Sequence, residues 1–386
     1  LLAIGQAQRE SGDLDGALAS FEEGEQKAGA TSGPVSMLII RNNRAFLLDE
    51  IGRRDEALQL CRDTIEHLRA TDGGSGLLAG IPMLPLGCLL YRSGELEEAY
   101  AVLMQGINLV RRLGLYDILS APANHTVEYL LADQGRLEEA LAYNREVRRR
   151  AVKAGLPVVV KESDWMYSWL QLRAGDIQPA LQWTQNHPLE EPHRVTPDLY
   201  TAIFLHARVL AATGDWQRAR ELLSPVVAYT RSTGLRSSWV RASVELALAC
   251  RAGGQDAEAE AVLAEAMEAA ARMQYVQAFR HVAAQLGPLF EKLRPRFPAF
   301  VEQVCAGAAA PRDPSRLPGR ALVEPLSERE REILQLVSAG MSNADIASRL
   351  YLTVGTVKWY MNQLFGKLGA ARRTEAVARA REFGLL

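Results

Sequence analysis

The residues best suited to chemistry with a partner lie near the end of the chain. Lys358, Trp359 and Asn362, together with Gly355 and Gly366, share one side of a run whose other side carries Val357, Met361, Leu364 and Leu368 at helical spacing. Such a helix buries its apolar stripe and presents the opposite face. That face has small residues where backbones approach and hydrogen-bonding side chains where base edges would lie, as a helix seated in the major groove of DNA requires. Lys358 is expected to meet a base or a phosphate, Asn362 to read a base edge, and Trp359 to touch a thymine methyl or a sugar. Thr353 can cap the helix. Thr356 in the first turn, and Lys367, Arg372 and Arg373 at the far end, suit phosphate oxygens.

Positioning that face takes further helices. Ser327 with Glu330, and Ser342 with Asp345, each have the spacing of a capping box, and Gly340 follows a helical pattern through Ile333, Leu334 and Val337 as a stop signal. A short helix is expected from Asn343 to Leu350. Charge alone separates this from a solvated helical tail only weakly. Residues 326–386 hold nine Lys and Arg against six Asp and Glu, net +3, and the rest of the chain is net −5.

The pattern discriminates better than the charge. The stretch LSEREREILQLVSAGMSNADIASRLYLTVGTVKWYMNQLFGKLGAARRTEAV resembles the LuxR-type helix-turn-helix, with its L-[ST]-x-R-E-x-E-[IV]-L, its G-x-[ST]-N-x-[ED]-I-A, and its T-V-K followed by K-L-G. The resemblance implies a four-helix DNA-binding domain. Thr356, Val357 and Lys358 would open the recognition helix, and the last helix, around Thr374 to Phe383, would supply a dimer contact. Two positions depart from the family: Tyr360 stands where His is common, and Gly355 weakens the first turn by about 1 kcal/mol relative to Ala.

The body of the chain repeats. A turn of the form G-x-x-x-x-A recurs at Gly12, Gly52, Gly94, Gly135, Gly175, Gly214 and Gly254, at spacings of 40, 42, 41, 40, 39 and 40 residues. Each unit reads as two helices around its glycine. A small residue five beyond the glycine, from Ala17 to Ala259, lets the second helix approach the first. Another usually lies seven before it, at Gly5, Ala45, Gly87, Ser168, Ala207 and Ala247, with Glu128 breaking the series. The spacing resembles the tetratricopeptide repeat, stretched to about forty residues. The expected architecture is therefore all-α: a tetratricopeptide-like α-solenoid superhelix over 1–305, capped by Gln274 to Ala306, then a linker over 306–324 punctuated by Pro311, Pro314 and Pro318, then the LuxR-type domain over 325–386.

In tetratricopeptide arrays the first helix of each pair lines the inner surface. Counting ten, six and three residues back from the glycines selects His125, Tyr129, Trp165 and Trp169, then Arg208 and Tyr91. Thirteen back gives Glu162 and Arg241. The aromatics could stack on a sugar ring or another flat ligand, with His125, Glu162 and Arg208 supplying hydrogen bonds. The competing reading is that these aromatics only pack one repeat on the next. Asn42, Asn43 and Arg44 also invite a peptide-carboxylate clamp, though the next unit lacks matching basic residues.

Repeats followed by a LuxR-type module resemble the C-terminal part of MalT-like large ATP-binding regulators. That resemblance implies an oligosaccharide-like inducer or a protein partner for the array, a homodimer or higher assembly on double-stranded DNA, and contact with the transcription machinery. Leu1 is not methionine, and only eleven residues precede Gly12, so a longer parent protein is expected. The sequence has no G-x-x-x-x-G-K-[ST], so no cofactor is expected in this chain, and an ATP site would belong to an upstream region. Cys61, Cys88, Cys250 and Cys305 show no C-x-x-C spacing and read as thiols of a reducing cytoplasm. The uncharged run from Gly73 to Tyr91 contains Pro82 and Pro85 and reads as a buried repeat helix with an irregular start rather than a membrane span. No catalytic constellation stands out. The expected function is that of a cytoplasmic transcriptional regulator, an activator with a sensing array; the rival is a protein-interaction scaffold that binds peptides through its groove.

Overall fold

Each recurring glycine ends a helix. All seven take positive φ, between 71° and 93°, a left-handed backbone that glycine adopts without a Cβ clash and that ends helices in the Schellman manner. At Gly94, for example, its own N–H donates to the Tyr91 carbonyl at 2.9 Å and the Glu95 N–H to the Leu90 carbonyl at 3.0 Å. The helices pair as Leu2–Ser11 with Leu14–Thr31, Pro34–Glu50 with Arg54–Thr71, Gly80–Ser93 with Leu96–Arg112, Ala121–Asp133 with Leu137–Ala154, Pro157–Arg173 with Gln178–Asn186, Tyr200–Ala212 with Trp216–Ser232, and Arg236–Ala252 with Asp256–Arg272. Three shorter helices follow, Gln277–Arg280, Ala283–Leu293 and Pro298–Ala308. The computed structural model describes residues 1–31, 33–71, 76–189, 199–308, 328–350, 352, 354, 357, 360–361, 364, 370 and 372–382.

The alanines five beyond the glycines explain the close pairing. Ala17, Ala57, Ala99, Ala140, Ala180, Ala219 and Ala259 are all at 0 % exposure. A larger side chain there would overpack the pair, at a cost of about 1–3 kcal/mol. The small residues seven before the glycines are buried too, and Glu128 sits among them at 0 % exposure. Its Oε1 accepts from Asn144 Nδ2 at 3.0 Å, while its Oε2 has no partner. Burial, only partly offset by that hydrogen bond, pushes the carboxyl up to about 8.

The array closes on itself, which the repeat pattern alone does not predict. Asp49, wholly buried, receives the guanidinium groups of both Arg54 and Arg92. Across more than 180 residues of sequence, Ser237 Oγ donates to the Asp49 carbonyl at 2.9 Å, and the Ser238 N–H donates to Glu50 Oε1 at 2.8 Å. Tyr229 reaches the Glu10 carbonyl at 2.6 Å, so the first pair meets the sixth. The segment after the seventh pair completes the seam. Arg54 donates to the Gln274 carbonyl at 3.1 Å and lies with Arg92 over the Tyr275 ring, Gln277 donates to Asp133 at 2.5 Å, and Arg280 donates to the Gly94 carbonyl at 3.0 Å. Gln274 turns that segment inward at φ 54°, the one non-glycine positive φ among the described residues.

Two expectations, the end cap and the clamp, need revision here. The 274–306 segment is more than an end cap, because its first residues cross the inside of the array. Asn42 donates to the Ile81 carbonyl of the next pair, Asn43 to the Ile39 carbonyl one turn back in its own helix, and Arg44 pairs with Glu22 and Glu25, so these side chains are tied into the array rather than forming an open clamp. The run before Tyr91 begins as a 3-10 turn, Leu77–Ala79, and continues as the buried helix Gly80–Ser93; among the described residues no helix is long and apolar enough to cross a membrane. Three of the four cysteines are buried, and burial raises the Cys61 and Cys88 thiols to about 12 and about 11. Pro311, Pro314 and Pro318 lie outside the described residues, and the last helix before them runs through Ala308.

Residues Pro311–Leu386 form a second compact unit. Its described core joins Ile333, Leu334 and Val337 to Ile346, Ala347 and Leu350, then to Val357, Met361 and Leu364, and closes with Ala376 and Ala380 of the helix Arg373–Glu382. Val357, Met361 and Leu364 are thus on one buried stripe, as their spacing predicts. Gly340 stops the helix Glu328–Ser338 at φ 82°.

Candidate functional site

Two places can meet a partner, one in each unit. In the repeat unit, the first helices of pairs three to six turn aromatic residues inward around a small chamber, and that of pair seven adds Arg241, Val244 and Glu245. Tyr91 stacks on Tyr129 with centroids 6.4 Å apart, and Tyr129 meets Trp169 edge-on at 4.5 Å and Trp165 at 6.4 Å. Trp165 Nε1 is fixed by the Thr201 carbonyl at 3.0 Å, and the Arg173 guanidinium lies over the Trp169 ring. Both tryptophans are only 5 % exposed. The aromatics therefore pack repeat against repeat and wall the chamber at the same time, so the two readings of these residues are compatible.

Five of the eight residues chosen by offset, Tyr91, Tyr129, Trp165, Trp169 and Arg241, line this chamber. The other three do not. Arg208 makes a two-pronged bond to Glu245, both contacts at 2.7 Å, and only Glu245 of that pair reaches the lining. His125 tilts against Trp165 at 6.2 Å, and its Nε2 is 3.8 Å from Glu162, too long for a hydrogen bond. Burial lowers His125 to about 4, so it is neutral near pH 7.

The offset rule missed the chamber's far wall. Tyr275, Gln277 and His281 come from the crossing segment, which lies outside the repeat and so has no place in its register. Phe204 also lines the chamber, ten residues before Gly214, at one of the offsets that face inward. His281, half-buried, is held at about 4, first by desolvation and then by the nearby Arg208. The chamber encloses about 110 Å³. That is well below the roughly 300–1,000 Å³ of drug-sized pockets and amounts to roughly three or four waters.

In the second unit, the capping of Asn343–Leu350 is reciprocal. The Ser342 N–H donates to Asp345 Oδ2 at 3.1 Å, and the Asp345 N–H donates to Ser342 Oγ at 3.3 Å; the Ser342 hydroxyl and backbone bonds lower the Asp345 carboxyl. Arg373, expected at a phosphate, donates instead to the Val337 and Met341 carbonyls and to Asn343 Oδ1. Its guanidinium thereby ties the last helix to the end of Glu328–Ser338 and the start of Asn343–Leu350. Arg372 beside it is exposed. Ser327, Thr353, Gly355, Thr356, Lys358, Trp359, Asn362 and Lys367 lie outside the described residues.

Comparison with known proteins divides the chain in the same way. Residues 1–296 match the family described as the MalT-like TPR region, and residues 324–380 match the luxR family of bacterial regulatory proteins. Similar proteins include the uncharacterized transcriptional regulatory protein YvfU of Bacillus subtilis, 47 % identical over 60 residues, which are 16 % of this chain and 30 % of YvfU. The HTH-type transcriptional regulator AlkS of Alcanivorax borkumensis is 43 % identical over 58 residues, 15 % of this chain and 7 % of AlkS. The DNA-binding transcriptional activator DevR/DosR of Mycobacterium tuberculosis is 41 % identical over 76 residues, 20 % of this chain and 31 % of its own length. In each case the match spans less than a third of the relative.

Proposed function

The chain belongs to the MalT-like TPR family and ends in a luxR-family regulatory domain, and on that premise we propose that it is a DNA-binding transcriptional regulator whose closed repeat ring senses a small molecule. The observation that carries the reading is the crossing segment. Tyr275, Gln277 and His281 wall the chamber, and the same segment leads into the last helices before the second unit. A molecule entering the chamber touches that segment directly, so it can change how firmly the segment is held to Asp133 and Gly94.

On the DNA side, Lys358 and Asn362 take the base-reading role and Trp359 the apolar contact. Thr353, Thr356, Lys367 and Arg372 meet phosphates. Arg373 acts as the strut that sets the angle of the last helix, and the domain binds paired half-sites as a dimer. Activation is the sense of regulation, by analogy with the mycobacterial relative described as an activator.

The test is selection of duplexes from a random pool with the intact chain, followed by titration at several salt concentrations. One sequence is expected to enrich, with a steep salt slope. Lys358→Ala should weaken binding about tenfold; if Lys358 meets phosphate alone, the slope also falls by about one. If no sequence enriches over the non-specific background, the regulator reading fails.

A further inference from the structure

We infer that the chamber selects a small, one-ring organic anion carrying a hydrogen-bond donor, such as a hydroxylated aromatic carboxylate. The inference rests on the sensing role proposed above and adds the ligand's chemistry.

The charges around the chamber leave one cation over. Arg92 shares Asp49 with Arg54, and Glu50 also lies near Arg92. Glu245 is neutralised by Arg208 through two hydrogen bonds, and Asp133 by Arg173. His281 is neutral near pH 7. Arg241 lines the chamber and has no carboxylate within ion-pair distance among the described residues; its guanidinium rests over the Phe204 ring at 5.5 Å. A guanidinium against an aromatic wall is weakly hydrated and presents a planar fork of donors, which matches a carboxylate.

A second observation points to the same ligand independently. Gln277 is 1 % exposed, and its Nε2 donates to Asp133 Oδ2 at 2.5 Å. Asp133, as a carboxylate, can only accept, so the amide orientation is fixed with nitrogen toward it. The Oε1 is then left in the chamber wall as a buried acceptor without a partner. A ligand hydroxyl or amine drawn up to it would satisfy that acceptor. Tyr129, Trp165 and Trp169 supply the aromatic wall between these polar points, and a cavity of about 110 Å³ suits about one ring.

The experiment uses the intact chain, tryptophan emission and calorimetry, with three sets of probes: the hydroxybenzoate isomers, the matching hydroxybenzamides, and glucose. At least one hydroxybenzoate is expected to bind saturably and to change tryptophan emission, with its amide at least tenfold weaker. Arg241→Met should lose at least tenfold in hydroxybenzoate affinity with unchanged helix content and melting midpoint, while Arg241→Lys should retain binding within a few fold. A hydroxybenzamide or glucose that binds as tightly as the acid, or an Arg241→Met variant that binds the acid normally, overturns the anion assignment and leaves a neutral-ligand sensor standing. No saturable response to any probe overturns the inference. If Trp169→Ala then also leaves DNA binding by the intact chain unchanged, the sensing role falls with it.

Discussion

The turns of pairs one to three and those of pairs four to seven share a motif and a backbone conformation, but not their neighbours. A Cβ added at Gly12, Gly52 or Gly94 would come within 2.8, 2.9 and 2.4 Å of Thr233, Met273 and Arg280. At Gly135, Gly175, Gly214 and Gly254 it would meet nothing within 4 Å. The first group forms the seam, and the second faces open space. The repeat motif therefore shapes each unit locally, while side chains outside the motif decide which units carry the closure. The two groups also handle a buried acid differently. Burial would raise Asp49, but attraction to Arg92 and Arg54 and their hydrogen bonds hold it below its ordinary 3.8. Glu128, in pair four, has only Asn144 and is raised.

The largest expected effect is at the seam. Asp49→Asn leaves two guanidinium groups without their counter-charge and should cost about 3–5 kcal/mol in denaturant unfolding at pH 7. A cost below about 1 kcal/mol would show that the seam does not hold the ring. Because the Asp49 carboxyl is lowered, its contribution is present above 3.8 and is lost as pH falls through its folded value.

Glu128 has the opposite sign. A carboxyl raised from 4.5 to about 8 ionises first in the unfolded chain, so stability should fall as pH rises between those values. Glu128→Gln should remove that fall, gaining on the order of 5 kcal/mol at pH 9 and little at pH 4. Parallel stability curves for the two proteins across this range would break the contrast between the acids.

The smallest effect sharpens the comparison of the turns themselves. Gly214→Ala should cost about 1–2 kcal/mol, for a left-handed alanine alone. Gly52→Ala should cost about 1–3 kcal/mol more, because its Cβ also meets Met273 and Arg236. Equal melting shifts for the two variants would mean that the seam yields without penalty.

Much of this architecture is legible from sequence because glycine and alanine act at fixed positions. A left-handed helix end and a close helix contact are local requirements, so a period near forty residues exposes them. The offsets that placed Tyr129, Trp165 and Trp169 on the inner face work for the same reason. Ring closure is not local. Arg54 and the Gln274 carbonyl are 220 residues apart, and nothing in either neighbourhood signals the other. Pairing inside the chamber is hidden in the same way: Arg208 reads as a ligand contact until Glu245 is seen beside it. In the second unit, Arg373 resembles its exposed neighbour Arg372 in sequence, and only the fold shows that it donates to two carbonyls and Asn343.

Closure also fixes a number. An open stack of helix pairs can gain or lose a unit at little structural cost, since each unit touches only its neighbours. Here a duplicated or deleted unit between the second and seventh pairs would carry Asp49 past Ser237 and Arg54 past the Gln274 carbonyl, leaving both ends of the seam unmatched. Copy number is therefore not free to drift in this array. Variation is channelled into the side chains of the inner wall, where ligand preference can change while the number of units between the two sides of the seam stays the same.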